Sequence, residues 1–378
     1  MVYFADGVHF NGSLVILSSR SCPALLLGSN AGVSAGIGSI SCATFRVPFP
    51  TAEWPEFDPS NGTRQRVEKD IAHAFEGARP PSLSKSRALL VVLSGKVVGK
   101  RFAPGVTKST PLQSWSMSKS FLHAALGILI ADGILQPQQP VNAPEWRFGN
   151  DLRSRITIRQ MAQMTDAGAL QMLFGAGRGD VGTFAAKSRH RWEPGTHWSY
   201  SSGSANILSR MLRDSLGGAA AYQAFLRERL FKPVGITSAV AEIDASGTWI
   251  ASSYLHATAR DYARFGLLYL RGGAWDGKQV VPMDWINVGR IPTFASHGAY
   301  GALFWLNVAN PDTGQNAISW KLPADLFMAR GFGGQFIAII PSRDAVIVML
   351  NTVYTDQIEP TTDVIAGIID ELPVVPQR

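Results

Sequence analysis

"SWSMSKSF", residues 114–121, decides how the chain is read. Ser116 stands three places before Lys119, and the apolar run "FLHAALGILIADG" follows. A serine in the first turn of a helix feels the positive end of the helix dipole, which stabilises an alkoxide or an oxyanion. A lysine three residues later lies one turn on, on the same face. If that face is buried, desolvation disfavours the ammonium and lowers its pKa. Neutral Lys119 can then take the Ser116 proton. The plain alternative is a serine cap with a lysine in water. Ser-x-x-Lys is cheap, and "SLSK" repeats it from Ser82 to Lys85, but in a polar loop after Pro80 and Pro81 with no helix behind it. The helix after Ser116 is apolar enough to be largely buried, which puts its N-terminus at a domain boundary.

Two more segments carry chemistry-bearing residues. In "EPGTHWSYSSGSANIL", residues 193–208, Pro194-Gly195 makes a turn. Tyr200 then precedes two serines and a helix expected to begin near Ala205. A tyrosine oxygen near a Ser–Lys pair can shuttle a proton to a leaving group, although taken singly a loop anchor is the commoner role. In "RGFGGQFIAII" consecutive glycines enter a strand, as close backbone approach or a tight turn requires. A backbone N–H there, with that of Ser116, would make an oxyanion hole.

Composition narrows the classes. The chain has 378 residues, 46% hydrophobic and 17% charged, which is globular and ample for a core. The net charge of +7 is spread without a dense basic cluster, so no nucleic-acid partner is expected. Two cysteines, Cys22 and Cys42, make neither a disulfide scaffold nor a sulfur metal site, and their pairing stays open. Seven histidines include no H-E-x-x-H and no pair at i, i+4, against a zinc enzyme. Of these, His123 in the Ser116 helix and His197 beside Tyr200 read as structural. No apolar run reaches membrane-span length, and "MVYFADGVHF" does not read as a signal peptide. A cytoplasmic protein is expected, with periplasmic or secreted placement left open. "GVSAG", residues 32–36, matches the Gly-x-Ser-x-Gly nucleophile elbow, but "IGSISCATF" after it is a poor helix, so the match is read as chance.

The pattern along the chain is strands at both ends around helices. Residues 1–45 give no clear assignment. Val67, Ile71 and Phe75 fall at helical spacing before Gly77, and "ALLVVLSGKVVGKRFA" is a hairpin about Ser-Gly-Lys. Residues 150–290 are mostly helical, with a Thr-x-x-Asp start at Thr258. "YGALFWLNV", "QFIAII" and "AVIVML" return to strand, and "TTDVIAGIIDEL" closes with a helix. The expected fold is α/β in the α+β sense: an antiparallel sheet flanked by helices, plus an inserted all-helical domain. The sheet domain is expected from residues 1–125 and 295–378, the helical one from 126–294, with the motifs meeting in the cleft between them.

In this order and at these separations, the three segments resemble the serine β-lactamase and penicillin-binding superfamily. The nearest likeness is the class C branch, which includes esterases and 6-aminohexanoate-dimer hydrolase. It runs from about residue 85 to the C-terminus and takes in "ITIRQMAQMT", "SSYLHATARDYARFGLLYLRGGAW" and "PSRDAVIVML". The resemblance implies that Ser116 is the acylated nucleophile, Lys119 its partner and Tyr200 the tyrosine of a Tyr-x-Asn motif. It implies a second oxyanion N–H from Gln335. Two departures stand out: Ser202 replaces the motif's asparagine, and Phe332-Gly333-Gly334 replaces a Lys-Thr-Gly strand motif. The missing lysine removes a cation for a substrate carboxylate, which Arg330 or Arg178 would have to restore. The implied activity is hydrolysis of a carboxylic ester or linear amide, without metal or organic cofactor, on a small molecule. A β-lactamase or D-alanyl-D-alanine peptidase, or a non-catalytic binding protein of the same fold, are the alternatives.

Overall fold

A computed structural model describes residues 49–55, 62–76, 83–166, 179–189, 191–352 and 359–375. The described residues all belong to one compact unit, Arg46–Arg378. "GVSAG", Cys22, Cys42, Gly77, Ser82 and Arg178 lie outside them.

The architecture is mixed α and β around a six-stranded antiparallel sheet. Its strands are β1 (Ser86–Leu93), β2 (Lys96–Phe102), β3 (Trp305–Leu306), β4 (Phe327–Gly331), β5 (Gln335–Ile340) and β6 (Ala345–Asn351). In space the order is β2-β1-β6-β5-β4-β3. The first hairpin therefore pairs directly with the last strand, Leu90 opposite Val348 and Val91 opposite Ile347. Its turn places Ser94 (φ 49) and Gly95 (φ 75) in the left-handed region, as a two-residue hairpin turn requires.

Central strands read as unbroken apolar runs because both faces of the sheet are covered. Side chains alternate at period two. Leu90, Val92, Ile337, Ile339, Val346 and Val348 face one core with helix α2 (Ser118–Ala131) and helix α4 (Ala259–Leu270). Leu89, Val91, Ala338, Ile347 and Met349 face a second core with helix α1 (Thr63–His73) and helix α5 (Glu359–Asp370). Helix α3 (Ser202–Ser215) packs beside α2 in the helical part of the chain.

Three sequence expectations shift in detail. The segment "YGALFWLNV" is strand only at Trp305–Leu306. Leu303 takes φ 57 and donates its N–H to Ala162 O at 3.0 Å, so the chain turns instead of extending. Helix α3 begins at Ser202, three residues before Ala205, because the Ser201 hydroxyl accepts the Ser204 N–H at 3.0 Å and caps it. Thr258 does cap α4, accepting the Asp261 N–H at 3.2 Å. The Asp261 carboxylate, however, turns to Ser238 and Arg264 instead of closing a reciprocal box. Among the described residues no helix is long and apolar enough to cross a membrane.

Candidate active site

Ser116 sits in a 3-10 turn, Trp115–Met117, that leads into α2. The turn is tight: Trp115 takes φ 46, a left-handed conformation costly for a bulky side chain. Lys119 follows on the first turn of α2 and is 1% exposed, while Ser116 is half-buried. Lys119 Nζ lies 3.1 Å from Ser116 Oγ and donates to Ser252 O at 2.7 Å. Burial holds the Lys119 ammonium below the usual lysine pKa, and Tyr200 beside it pulls the other way.

Tyr200 enters from the loop that caps α3. That loop is pinned to the chain before it, with Ser199 N–H on Met164 O at 2.9 Å and Gly195 N–H on Thr165 O at 2.7 Å. The Tyr200 ring centroid is 4.8 Å from Lys119 Nζ. Around Tyr200 stand Tyr300 at 5.9 Å and Trp305 at 5.2 Å between ring centroids. Tyr300 is pushed well above the usual phenol pKa by burial, and next by the Tyr200 charge. The Arg330 guanidinium lies 4.8 Å over the Trp305 ring, which puts a cation at the edge of this aromatic cluster. His197 stacks on Trp192 at 5.0 Å on the exposed side of the loop.

The glycine-rich segment is placed differently from a strand motif. Phe332-Gly333-Gly334 forms the turn between β4 and β5, with Gly333 at φ 76 and Gly334 at φ 74. Their carbonyls accept the Asn351 amide at 3.2 and 3.3 Å, which ties the turn to β6. The close approach falls one residue earlier: a Cβ on Gly331 would lie 2.4 Å from Ser114 O. Gln335 pairs with Gly331 across the hairpin and donates its amide to Phe332 O at 3.2 Å. Phe332 meets the Trp115 ring edge-on at 5.8 Å, so it flanks the Ser116 turn. Ser202, at the start of α3, is 7% exposed.

A hub missed in the sequence joins these parts. Segment 249–255 runs between α2 and α3 and is held from both sides. From the Ser116 side, Ser118 Oγ donates to Ala251 O at 2.5 Å and Ser114 N–H to Leu255 O at 2.8 Å. From α3, Ser209 Oγ donates to Trp249 O at 2.6 Å and Asn206 Oδ1 accepts Ser252 N–H at 3.1 Å. Asp166 was also missed. Its buried carboxylate accepts Ser204 Oγ at 2.8 and 3.0 Å, and burial pushes its pKa up to about 6 against that hydrogen bond. "SSYLHATARD" was visible as part of a motif and Asp166 follows directly on "ITIRQMAQMT", but nothing local in either marks Ser252 or Asp166 as neighbours of α3.

The arrangement offers a hydroxyl on a strained turn, a desolvated amine in reach of it and a phenol beside the amine. Comparison with known proteins gives this setting a family. The sequence profile of the β-lactamase family matches residues 79–365. The 6-aminohexanoate-dimer hydrolase of Paenarthrobacter ureafaciens is 22% identical over 333 residues, 80% of this chain and 82% of that protein. A penicillin-binding protein homologue from Caulobacter crescentus superposes with a TM-score of 0.64 at 16% identity, covering 83% of this chain and 98% of its own. A family VIII carboxylesterase superposes with a TM-score of 0.63 at 13% identity, covering 85% and 99%. With most of its length inside the matched region, the chain belongs to the β-lactamase family, a hydrolase family with an esterase and an amidohydrolase among the similar proteins.

Proposed function

We propose that the protein is a serine hydrolase that cleaves a carboxylic ester or a linear amide through an acyl-enzyme on Ser116. The observation that carries this reading is the buried Lys119 amine 3.1 Å from the Ser116 hydroxyl, its pKa lowered by desolvation. Ser116 Oγ bonds to the substrate carbonyl carbon while its proton passes to Lys119, alone or through Tyr200. The backbone N–H groups of Ser116 and Gln335 hold the oxyanion. Collapse of the intermediate breaks the bond to the alcohol or amine, which leaves with a proton from Tyr200 or Lys119. Water then adds to the acyl-enzyme and releases the acid. Lys119 Nζ lies 4.8 Å from the Tyr200 ring centroid, so the base is assigned to the pair.

Substrate preference follows from Phe332 beside the Ser116 turn and from Ser202 at the start of α3. A charged hydrogen bond to a substrate carboxylate contributes on the order of 1.5–3 kcal/mol. With Phe332 in place of the motif's lysine, and the Arg330 guanidinium held over the Trp305 ring, loss of that bond in the transition state costs roughly one to two powers of ten in rate. Short acyl esters and linear amides are therefore expected to outrun β-lactams and D-Ala-D-Ala peptides. The test is a panel of p-nitrophenyl esters, linear ω-amino-acid amides, D-Ala-D-Ala peptides and nitrocefin, run with wild type and Ser116→Ala. Ester turnover that vanishes in the variant supports the reading. Unchanged turnover in Ser116→Ala ends it, and faster nitrocefin than ester hydrolysis overturns the substrate assignment.

A further inference from the structure

The lysine is fixed from a distance. Lys119 Nζ donates to the carbonyl of Ser252, and the N–H of that same residue donates to Asn206 Oδ1. Asn206 is fully buried on α3, one turn after Ser202. The position where an asparagine would meet substrate thus carries a serine, and an asparagine stands one turn deeper. Among the described residues, neither Asn206 Nδ2 nor Ser252 Oγ finds a hydrogen-bond partner. A buried amide that leaves its own donor unpaired to accept one backbone N–H is an expensive way to fill a core position, where an apolar side chain would cost less. Its presence here points to a role in placing Ser252.

We infer that Asn206 is a positioning residue for the proposed Ser116 chemistry: it sets the Ser252 carbonyl that orients the Lys119 amine toward Ser116. This rests on the serine-hydrolase reading above. A neutral amine has two hydrogens and one lone pair. Donation of one hydrogen to Ser252 O leaves the lone pair free to aim at the Ser116 hydroxyl 3.1 Å away. Without the Asn206 acceptor the Ser252 N–H loses its anchor on α3, while Ala251 O stays held by Ser118 Oγ. The Ser252 carbonyl, in the next peptide along, is then free to turn about the Ser252 Cα, and with it the direction of the lone pair. The titratable groups facing Lys119 are Tyr200 directly and, behind it, Tyr300. Asp166 is engaged elsewhere on α3, through Ser204. Asn206 acts through the Ser252 N–H and is expected to affect orientation, with substrate binding left intact.

The experiment compares p-nitrophenyl acetate turnover in wild type, Asn206→Leu, Asn206→Ala and Asn206→Asp, with thermal melts of each. Aspartate keeps an acceptor oxygen at the same place; leucine and alanine do not, and between them bracket the volume. The expected result is a tenfold or greater fall in kcat with KM within twofold for the leucine and alanine variants. Aspartate is expected to restore kcat to within about threefold of wild type. Activity unchanged in the two acceptor-free variants overturns the inference. So does an aspartate variant as poor as leucine, or a loss that appears in KM. Failure of both acceptor-free variants to fold assigns Asn206 to building segment 249–255 alone and also overturns it. Ser116→Ala run alongside separates the two levels: if that variant keeps full turnover, the serine-hydrolase reading has failed and the Asn206 result does not bear on it.

Discussion

Lys119 Nζ and Ser116 Oγ stand 3.1 Å apart with the lysine side chain out of water. The amine is neutral over part of the pH range in which an ordinary lysine stays charged, because burial lowers its pKa. Ester turnover is therefore expected to rise with pH along an acid limb whose midpoint lies below the usual lysine value. A pH profile of kcat/KM on p-nitrophenyl acetate checks this; a limb that rises only where free lysine titrates would remove Lys119 as the base.

Lys119→Arg keeps a permanent charge and Lys119→Met none. Both lose the proton acceptor, so both are expected to lower kcat by about 10²–10⁴-fold. Only methionine also relieves the buried ammonium, so its melting temperature is expected at or above wild type, with arginine below. Paired activity and melting measurements separate the chemical role from the structural one.

Asp166 gives an opposite pH signature. Its folded pKa is raised from 3.8 to about 6, so the folded state binds the extra proton between those values. Stability from this group is full below 3.8 and lost as pH rises through 6. The shift of about two units amounts to roughly 3 kcal/mol. Asp166→Asn cannot ionise. Its stability relative to wild type is expected to improve between pH 4 and pH 8 by about that amount, read from urea melts at the two pH values.

His123 works on the acid side. It is fully buried against Tyr269, its Nδ1 2.7 Å from the phenol oxygen, and burial lowers its pKa from 6.5 to about 3. The folded state keeps it neutral while the unfolded chain protonates. Stability is full above 6.5 and lost as pH falls toward 3. At pH 4.5 the loss is roughly 3 kcal/mol. His123→Phe is expected to flatten this acid slope in melts run from pH 7 to 4.5.

Gly331→Ala probes the site from the sheet side. The added Cβ would meet Ser114 O at 2.4 Å and approach Trp115 Cβ to 3.3 Å. Either β4 or the Ser116 turn must give way, at about 1–3 kcal/mol. Turnover is expected to fall by a larger factor than the folded fraction does. Equal losses would mean that the turn tolerates the shift.

What the sequence made legible was local or periodic. Ser116 and Lys119 are three residues apart, and the apolar run behind them announces its burial. Val67 and Ile71 repeat at helical spacing, and Ser94-Gly95 marks its own turn. Site parts made by distant contacts were not legible. Ser252 reaches Lys119 across 133 residues and Asn206 across 46. Asp166 reaches Ser204 across 38. None of these leaves a trace in spacing. The glycines were legible as a tight turn, which they form, but not for their contacts. "GFGG" signals backbone freedom, but which glycine meets a neighbour depends on Ser114, from another part of the chain. Trp305 and Leu306 looked like the middle of a long strand because apolar alternation says nothing about the turn at Leu303.

Besides β2, the neighbour of β1 in the sheet is β6, so this second partner lies some 250 residues downstream in the chain. During synthesis the hairpin of β1 and β2 emerges with Leu89, Val91 and the other inward side chains uncovered, well before residues 345–351. Closure of so long a loop is slow, and the open edge of β1 is a template for any other extended chain until then. The same interlocking means that a nascent chain arrested before Ala345 holds a sheet split in two. An apolar strand thus stays without its second partner for the time it takes a ribosome to read from Leu93 to Asn351.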